Sequence, residues 1–173
     1  MAVHLITGGA RSGKSTFAEE LACRLCSDSS RRCYIATAEV TDDEMKARID
    51  RHRERREGKF YTVESSVELG KAIAENSDRA EVILVDCLTV WTNNLLYYGK
   101  EDERGKLMEA LKEAECDVIL VTNETGMGIV PANELSRRFR DLAGFINQDV
   151  AAVADTVVLM VCGLPLYVKG AAL

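Results

Sequence analysis

Apolar and polar positions fall in blocks along the chain, and the period of the pattern changes from block to block. Ala2–Thr7 is a short apolar run that ends at a glycine pair and predicts a first strand. Over Lys14–Leu25 the apolar residues Phe17, Ala18, Leu21, Ala22 and Leu25 recur at helical spacing, which predicts a helix with one buried face. Cys33–Ala36 predicts a short strand. Asp42–Glu57 predicts a charged helix, opened by the acidic residues that a helix dipole favours. Phe60–Val63 reads as a small strand and Ser65–Glu75 as a helix. Val82–Val85 is a continuous apolar run ending in Asp86, the pattern of a central strand covered on both faces. Helices follow over Leu88–Tyr98 and Glu103–Ala114, with the glycine- and charge-rich Tyr98–Arg104 as the loop between them. Val118–Thr122 is the next buried strand, and Leu135–Ala154 a long helix announced by Pro131 and Asn133. Val157–Val161 and Leu164–Val168 predict a late strand and its hairpin partner, with a frayed end over Gly170–Leu173. Strands alternating with helices predict an α/β fold, a mainly parallel sheet flanked by helices with a short C-terminal hairpin.

Composition narrows the class without changing that picture. The 173 residues are 47% hydrophobic and 29% charged, ordinary for a globular protein, so one domain over residues 1–173 is expected and a disordered or fibrous chain is excluded. A net charge of −6 argues against non-specific binding to nucleic acid or to an anionic membrane. The longest apolar runs, Val118–Val121 and Val157–Cys162, are too short to insert across a bilayer. The first residues carry no charged region and meet Gly8 after a few apolar positions, unlike an export signal, so a cytoplasmic setting is expected. There the six cysteines (Cys23, Cys26, Cys33, Cys87, Cys116 and Cys162) read as reduced, buried thiols. Cys23 and Cys26 have ligand-like spacing, but no second pair completes a zinc site.

Candidate chemistry begins where the first strand ends. Gly8-Gly9-Ala10-Arg11-Ser12-Gly13-Lys14-Ser15 fits G-x-x-x-x-G-K-[ST] between a strand and a helix, the context that this phosphate-binding loop requires. Glycines let backbone N–H groups turn toward phosphate oxygens, and the helix N-terminus adds a favourable dipole. Lys14 supplies a point charge for the terminal phosphates, and the Ser15 hydroxyl is a Mg²⁺ ligand. The motif predicts a P-loop NTPase, and the fold expected for the chain is of RecA-like type. Asp86, at the end of a buried strand, is the candidate acid for the metal; it also reads as a cap of the following helix. Glu124 is the other acid that ends a strand.

A second feature is a basic helix. Lys46–Lys59 holds seven basic and three acidic residues, a local charge of +4. On a helix Arg48, His52 and Arg55 share a face, with Met45 and Ile49 as the apolar anchor. This reads either as a cationic face with an imidazole at its centre or as a solvated charged helix. His4, in the first strand, reads as structural.

Several segments together resemble one family: Thr7–Ser15 (TGGARSGKS), Tyr34–Thr37 (YIAT), Asp42–Ile49 (DDEMKARI) followed by His52, Val121–Pro131 (VTNETGMGIVP), Arg138–Ala143 (RFRDLA) with Asn147-Gln148, and Ala154-Asp155. The chain is similar over Val3–Lys169 to the bifunctional adenosylcobinamide kinase/adenosylcobinamide-phosphate guanylyltransferases of CobU/CobP type. The resemblance implies phosphorylation of the aminopropanol hydroxyl of adenosylcobinamide, then transfer of GMP from GTP through a GMP-histidine to give adenosylcobinamide-GDP. It implies His52 as nucleophile, Lys14 as catalytic cation, GTP (or ATP for the kinase step) and Mg²⁺. Further nucleotide contacts implied by position are Ala36, Thr37, Ala38, Arg53, Glu54, Arg55, Arg56, Glu64 and Asp86. If Asp86 or Glu64 reads guanine, a metal role for Asp86 falls away. Asp86 is shorter than the glutamate often found at its place, and Arg53–Arg56 replaces a lysine- and glycine-containing turn of some relatives. A homotrimer is implied as well. Asn123, Glu124 and Met127–Val130 are corrinoid candidates because of where their strand ends. The alternatives are a P-loop small-molecule kinase without guanylyl transfer, which has no use for His52, and a RecA-like nucleotide-gated regulatory module.

Overall fold

A computed structural model describes residues 1–40 and 42–171, without the side chains of Glu44, Arg48 and Arg55. The first strand β1 (Val3–Gly8) leads into α1 (Lys14–Leu25), and a 3-10 turn (Ser29–Arg31) precedes β2 (Arg32–Ala36). Then follow α2 (Asp43–Arg56), β3 (Tyr61–Glu64), α3 (Leu69–Ser77), β4 (Val82–Asp86), α4 (Leu88–Tyr98) and α5 (Glu103–Glu113). The chain continues through β5 (Asp117–Val121), α6 (Glu134–Val153), β6 (Thr156–Val161) and β7 (Leu164–Lys169). The seven strands form one sheet in the order β3-β2-β4-β5-β1-β6-β7, parallel except for β7.

Burial explains why the central strands are apolar at successive positions. One face carries α1, whose Ala18, Leu21 and Ala22 pack with Ile6, Leu84, Ile119 and Val121. The other face packs Leu5, Ile35, Ile83, Val85 and Leu120 against Leu69, Ile73, Leu88, Trp91, Leu95 and Leu107 of α3, α4 and α5. Trp91 is fully buried, and its Nε1 donates to the Val67 carbonyl at 2.6 Å.

Two expectations shift. The helix expected from Ser65 begins at Leu69. Residues 65–67 are used to tie strand ends together: Ser65 N donates to the Ala36 carbonyl, and Asn94 Nδ2 donates to the Ser66 carbonyl, both at 2.9 Å. The cysteines are all free, but not all buried. Cys26, Cys33 and Cys116 are core residues, whereas Cys162 is exposed. The apolar run Val157–Cys162 ends in a two-residue hairpin turn, Cys162-Gly163, with φ of 52° and 82°. Both positive values suit the strand twist of a tight hairpin, and they turn the thiol out of the sheet.

His4 lies in β1 and is only 3% exposed, with both ring nitrogens lacking a hydrogen-bond partner among the described residues. Burial pushes its pKa below 6.5, against the opposing pull of Asp117 and Asp155. Those two carboxylates are engaged with the backbone, accepting from Ala2 N at 2.7 Å and Val3 N at 2.8 Å. The folded state therefore binds fewer protons than the unfolded state once pH falls below about 6.5. His4 thus contributes a loss of stability that grows as pH falls from there toward its lowered folded value. Thermal unfolding of the wild type should lose more between pH 7.5 and 5.5 than unfolding of His4→Val, which keeps a strand-forming apolar residue. Equal losses would show that His4 is not the responsible group.

Candidate functional site

Strand register brings the candidate residues to one edge. Ala36 pairs with both Glu64 on β3 and Asp86 on β4; Asp86 pairs with Val121 on β5; and Gly8 pairs with Met160 on β6. The carboxyl ends of the parallel strands thus form a line from Glu64 through Ala36 and Asp86 to Gly8, where ligands gather in open α/β sheets.

At one end of that line the phosphate loop links β1 to α1. The chain turns through positive φ at Gly8 (149°), Arg11 (55°) and Gly13 (94°). Gly8 has no room for a side chain, because a Cβ there would lie 2.5 Å from the Met160 carbonyl oxygen and 2.8 Å from Ser12 Oγ. The C-terminal hairpin buttresses the loop, with Gly163 N donating to the Ser12 carbonyl at 3.0 Å. Lys14 is 8% exposed, and its Nζ donates to the Gly9 carbonyl at 2.5 Å. Burial pushes its pKa down, while Cys87 and Asp86 act in the opposite sense. Ser15 stands in the first turn of α1.

Beside the loop, α2 roofs a cavity of about 370 Å³. Asp42 starts this helix by accepting from Met45 N at 2.7 Å, the cap expected of an acidic residue there. The cavity is lined by Ala36, Ala38, His52, Arg53, Arg56, Glu64 and Asp86 from the sequence-derived set. Tyr34, Glu39, Ser65, Ser66 and Cys87 join them, as do the apolar Val40, Met45, Ile49 and Val90. Met45 and Ile49 are the anchor expected from helical spacing. Arg53 is ion-paired with Glu64. Arg56 is 4% exposed, donates from Nε to the His52 carbonyl at 2.7 Å, and lies 3.6 Å above the Tyr34 ring. Its Nη1 has no hydrogen-bond partner among the described residues. Tyr34 in turn donates to Asp86 Oδ2 at 2.9 Å.

The other candidates are placed differently. Gly8–Ser15 form their own loop outside the cavity lining. Glu54 is exposed and stands apart from the cavity. The side chains of Arg48 and Arg55 lie outside the described residues. Thr37 is fully buried, and its hydroxyl bridges the Cys87 backbone, donating to the carbonyl and accepting from the N–H at 2.9 Å each. The loop after β5 leans on the phosphate loop through Glu124 N, which donates to the Gly8 carbonyl at 3.1 Å, and leaves Met127, Ile129 and Val130 exposed.

Sequence reasoning did not single out Tyr34, Asn94 or Ser66. Tyr34 stood inside the quoted YIAT motif, as the one residue of that strand able to bury a ring and still offer a donor at its tip. Asn94 is buried on α4, and Nδ2 donates to Thr37 and Ser66 carbonyls at 2.9 Å, fastening the ends of β2 and β3. Its signal in the sequence was weak, since α4 also buries the polar Thr92 beside Leu88, Trp91 and Leu95.

Fold and loop define the class: an α/β protein of the P-loop, RecA-like kind. A solved structure of the same architecture is the KaiC-like protein PH0186 from Pyrococcus horikoshii, with a TM-score of 0.54 and 19% identity, covering 91% of this chain and 70% of that one. The family of cobinamide kinase / cobinamide phosphate guanyltransferase matches residues 4–168. The bifunctional adenosylcobalamin biosynthesis protein CobP of Pseudomonas aeruginosa is 44% identical over 170 residues, 96% of either chain. The CobU proteins of Escherichia coli and Salmonella typhimurium are 43% and 41% identical, over 95% of this chain and 98% of each of theirs. The chain belongs to this family. It is accordingly a transferase with kinase and guanylyltransferase activity in cobalamin biosynthesis, and it uses nucleotide. Among the described residues no helix is long and apolar enough to cross a membrane.

Proposed function

We propose that the chain, acting as a single catalytic domain, phosphorylates the aminopropanol hydroxyl of adenosylcobinamide. It then transfers GMP from GTP through His52 to the new phosphate, giving adenosylcobinamide-GDP. The observation that carries this reading is that His52 faces a cavity shared with Glu64 and Asp86, on the same sheet edge as the phosphate loop. A kinase alone needs the loop and has no use for a histidine placed there.

In the first reaction the substrate hydroxyl oxygen attacks the γ-phosphorus, the bond to the β-phosphate oxygen breaks, and the hydroxyl proton leaves. Lys14 and the loop N–H groups hold the phosphates and offset the charge that develops on them. In the second, a neutral imidazole nitrogen of His52 attacks the α-phosphorus of GTP and expels pyrophosphate. A phosphate oxygen of adenosylcobinamide phosphate then attacks the same phosphorus, the P–N bond breaks, and the imidazole is restored. Arg53 and Arg56 supply positive charge beside the nucleophile.

Among the described residues no group of three or more His, Cys, Asp or Glu is placed to hold a metal ion. Mg²⁺ at nucleotide sites takes only one or two protein oxygens and leaves the rest to phosphate and water, so the chain's donors fit it. The Ser15 hydroxyl would hold the ion, with the Asp86 carboxylate as the other candidate; bound there, the ion would neutralise phosphate charge. The engagement of Asp86 with Tyr34 inside the cavity favours a contact to the base, which leaves Ser15 as the ligand.

Because none of the loop residues lines the cavity that holds His52, the nucleotide or α2 is expected to shift between the two reactions. The exposed Met127, Ile129 and Val130 beside the loop support the corrinoid reading, and the exposed Leu164, Leu166 and Val168 of β7 support self-association into a trimer. No nucleic-acid or membrane partner and a cytoplasmic setting complete the proposal.

The test is conversion. Protein given adenosylcobinamide, ATP, GTP and Mg²⁺ should yield adenosylcobinamide-GDP by mass spectrometry, and only the phosphate when GTP and ATP are replaced by ATP alone. Accumulation of the phosphate in the presence of GTP would leave the kinase-only reading.

A further inference from the structure

Tyr34 is 2% exposed in the middle of β2, yet it is one of the residues that line the cavity. Register explains how. Tyr34 pairs with Leu84 on β4, so Asp86 lies two residues further along the same face of the neighbouring strand. A tyrosine leaning along the strand reaches that carboxylate, as its 2.9 Å bond to Oδ2 shows. Burial and the adjacent Asp86 push its pKa well above 10, so the hydroxyl stays a donor. The ring also carries the Arg56 guanidinium at 3.6 Å, and Arg56 holds the His52 carbonyl through Nε. One side chain therefore touches both the carboxylate at the end of β4 and the helix that bears His52.

An ionised carboxylate held in one orientation accepts from two neighbouring donors, and guanine offers such a pair in its ring N–H and its exocyclic amine. Adenine presents a lone pair where guanine has the N–H, and hypoxanthine lacks the amine. Asp86 has only one methylene and is free to rotate unless something fixes it. Tyr34 bonds Oδ2 from the neighbouring strand and leaves Oδ1, and the second lone pair of Oδ2, for a ligand in the cavity.

We propose that Tyr34 is a positioning residue for base recognition: its hydroxyl fixes the Asp86 carboxylate in the orientation that selects guanine over adenine and hypoxanthine. This rests on the reading that the cavity takes the base of GTP. The Arg56 contact is separable, because it uses the ring and not the hydroxyl.

Tyr34→Phe removes the oxygen and keeps the ring beneath Arg56. The readout is kcat/KM for nucleotidyl adduct formation with GTP, ITP and ATP, followed by intact mass. In the wild type GTP should be preferred; absence of that preference would sink the underlying reading and not this inference alone. In Tyr34→Phe the preference for GTP over ITP and ATP should fall about tenfold, as expected for losing a hydrogen bond to a charged group. The change should appear mainly in KM. A merely structural role would slow all three nucleotides alike. Asp86→Asn should lower the same preference at least as far, and adding Tyr34→Phe to it should cost no further selectivity, because the hydroxyl acts through that carboxylate. An unchanged preference in Tyr34→Phe, or in Asp86→Asn where Tyr34→Phe does not fold, or additive losses in the double variant, would overturn the inference.

Discussion

His52→Ala should acquire no nucleotide mass from GTP and Mg²⁺, whereas the wild type should gain one GMP. That adduct should be lost in acid and kept in alkali, as a phosphoramidate is. Removing a covalent nucleophile takes away the step itself, so guanylyl transfer should fall by roughly a thousandfold or more. Phosphorylation of adenosylcobinamide should survive within about threefold, because the loop that holds the phosphates is built by β1, α1 and the C-terminal hairpin. Folding should survive too. His52 is on the cavity wall, half-buried, and the bond that fastens Arg56 to this turn of α2 uses the His52 backbone carbonyl, which alanine retains. An adduct on His52→Ala would move the nucleophile to another residue. Loss of both reactions together would mean that His52 supports the fold of α2 and not one chemical step.

How much of this could be read from the chain depends on how local each determinant is. The phosphate loop was fully legible, because strand, glycines, lysine and helix start are contiguous, and α1 runs over Lys14–Leu25 as the apolar spacing predicted. Asp86 was legible as a strand end, since an apolar run closed by an acid is itself the signal. What Asp86 touches was not legible, because the partner is set by the register of β2 against β4, a relation between residues 52 positions apart. The start of α3 was misread for a similar reason. Ser65 and Ser66 have the composition of a helix start, but their backbone groups are taken by Ala36 and Asn94 from other elements. Cys162 continues an apolar pattern and was read as buried; one turn at Gly163 reversed that. The role proposed for His52 came from the resemblance, since by pattern alone the helix also reads as a solvated charged one. Its place beside Glu64 and Asp86 comes from the sheet edge beneath it.

Lys14→Ala should strongly slow phosphoryl transfer while leaving the protein at least as stable as before, a combination that a structural lysine does not give. In the fold Lys14 is a buried cation whose pKa is lowered by burial, so the folded state holds its charged form at a cost. That cost is present at neutral pH and is relieved as pH rises past the lowered folded value toward the ordinary 10.5. Truncation removes it. Two acceptors lose this donor: the Gly9 carbonyl, on an exposed residue that takes water instead, and the Ser12 hydroxyl, whose contact is long at 3.4 Å and weak for that reason. The melting temperature of Lys14→Ala at pH 7.5 should therefore equal or exceed that of the wild type. Phosphorylation should fall by about a hundred- to a thousandfold, the usual effect of deleting one preorganised donor to a developing anion. The wild type carries a second signature. The ammonium must be charged to hold phosphate, and its pKa is below that of an exposed lysine. The kcat/KM for phosphorylation, which reports the free enzyme, should thus decline on the alkaline side at a pH below 10.5. Lys14→Arg should retain charge at every pH and so lose that alkaline limb, whatever its rate. A melting temperature well below the wild type in Lys14→Ala, or an alkaline limb that persists in Lys14→Arg, would remove Lys14 from the phosphate site.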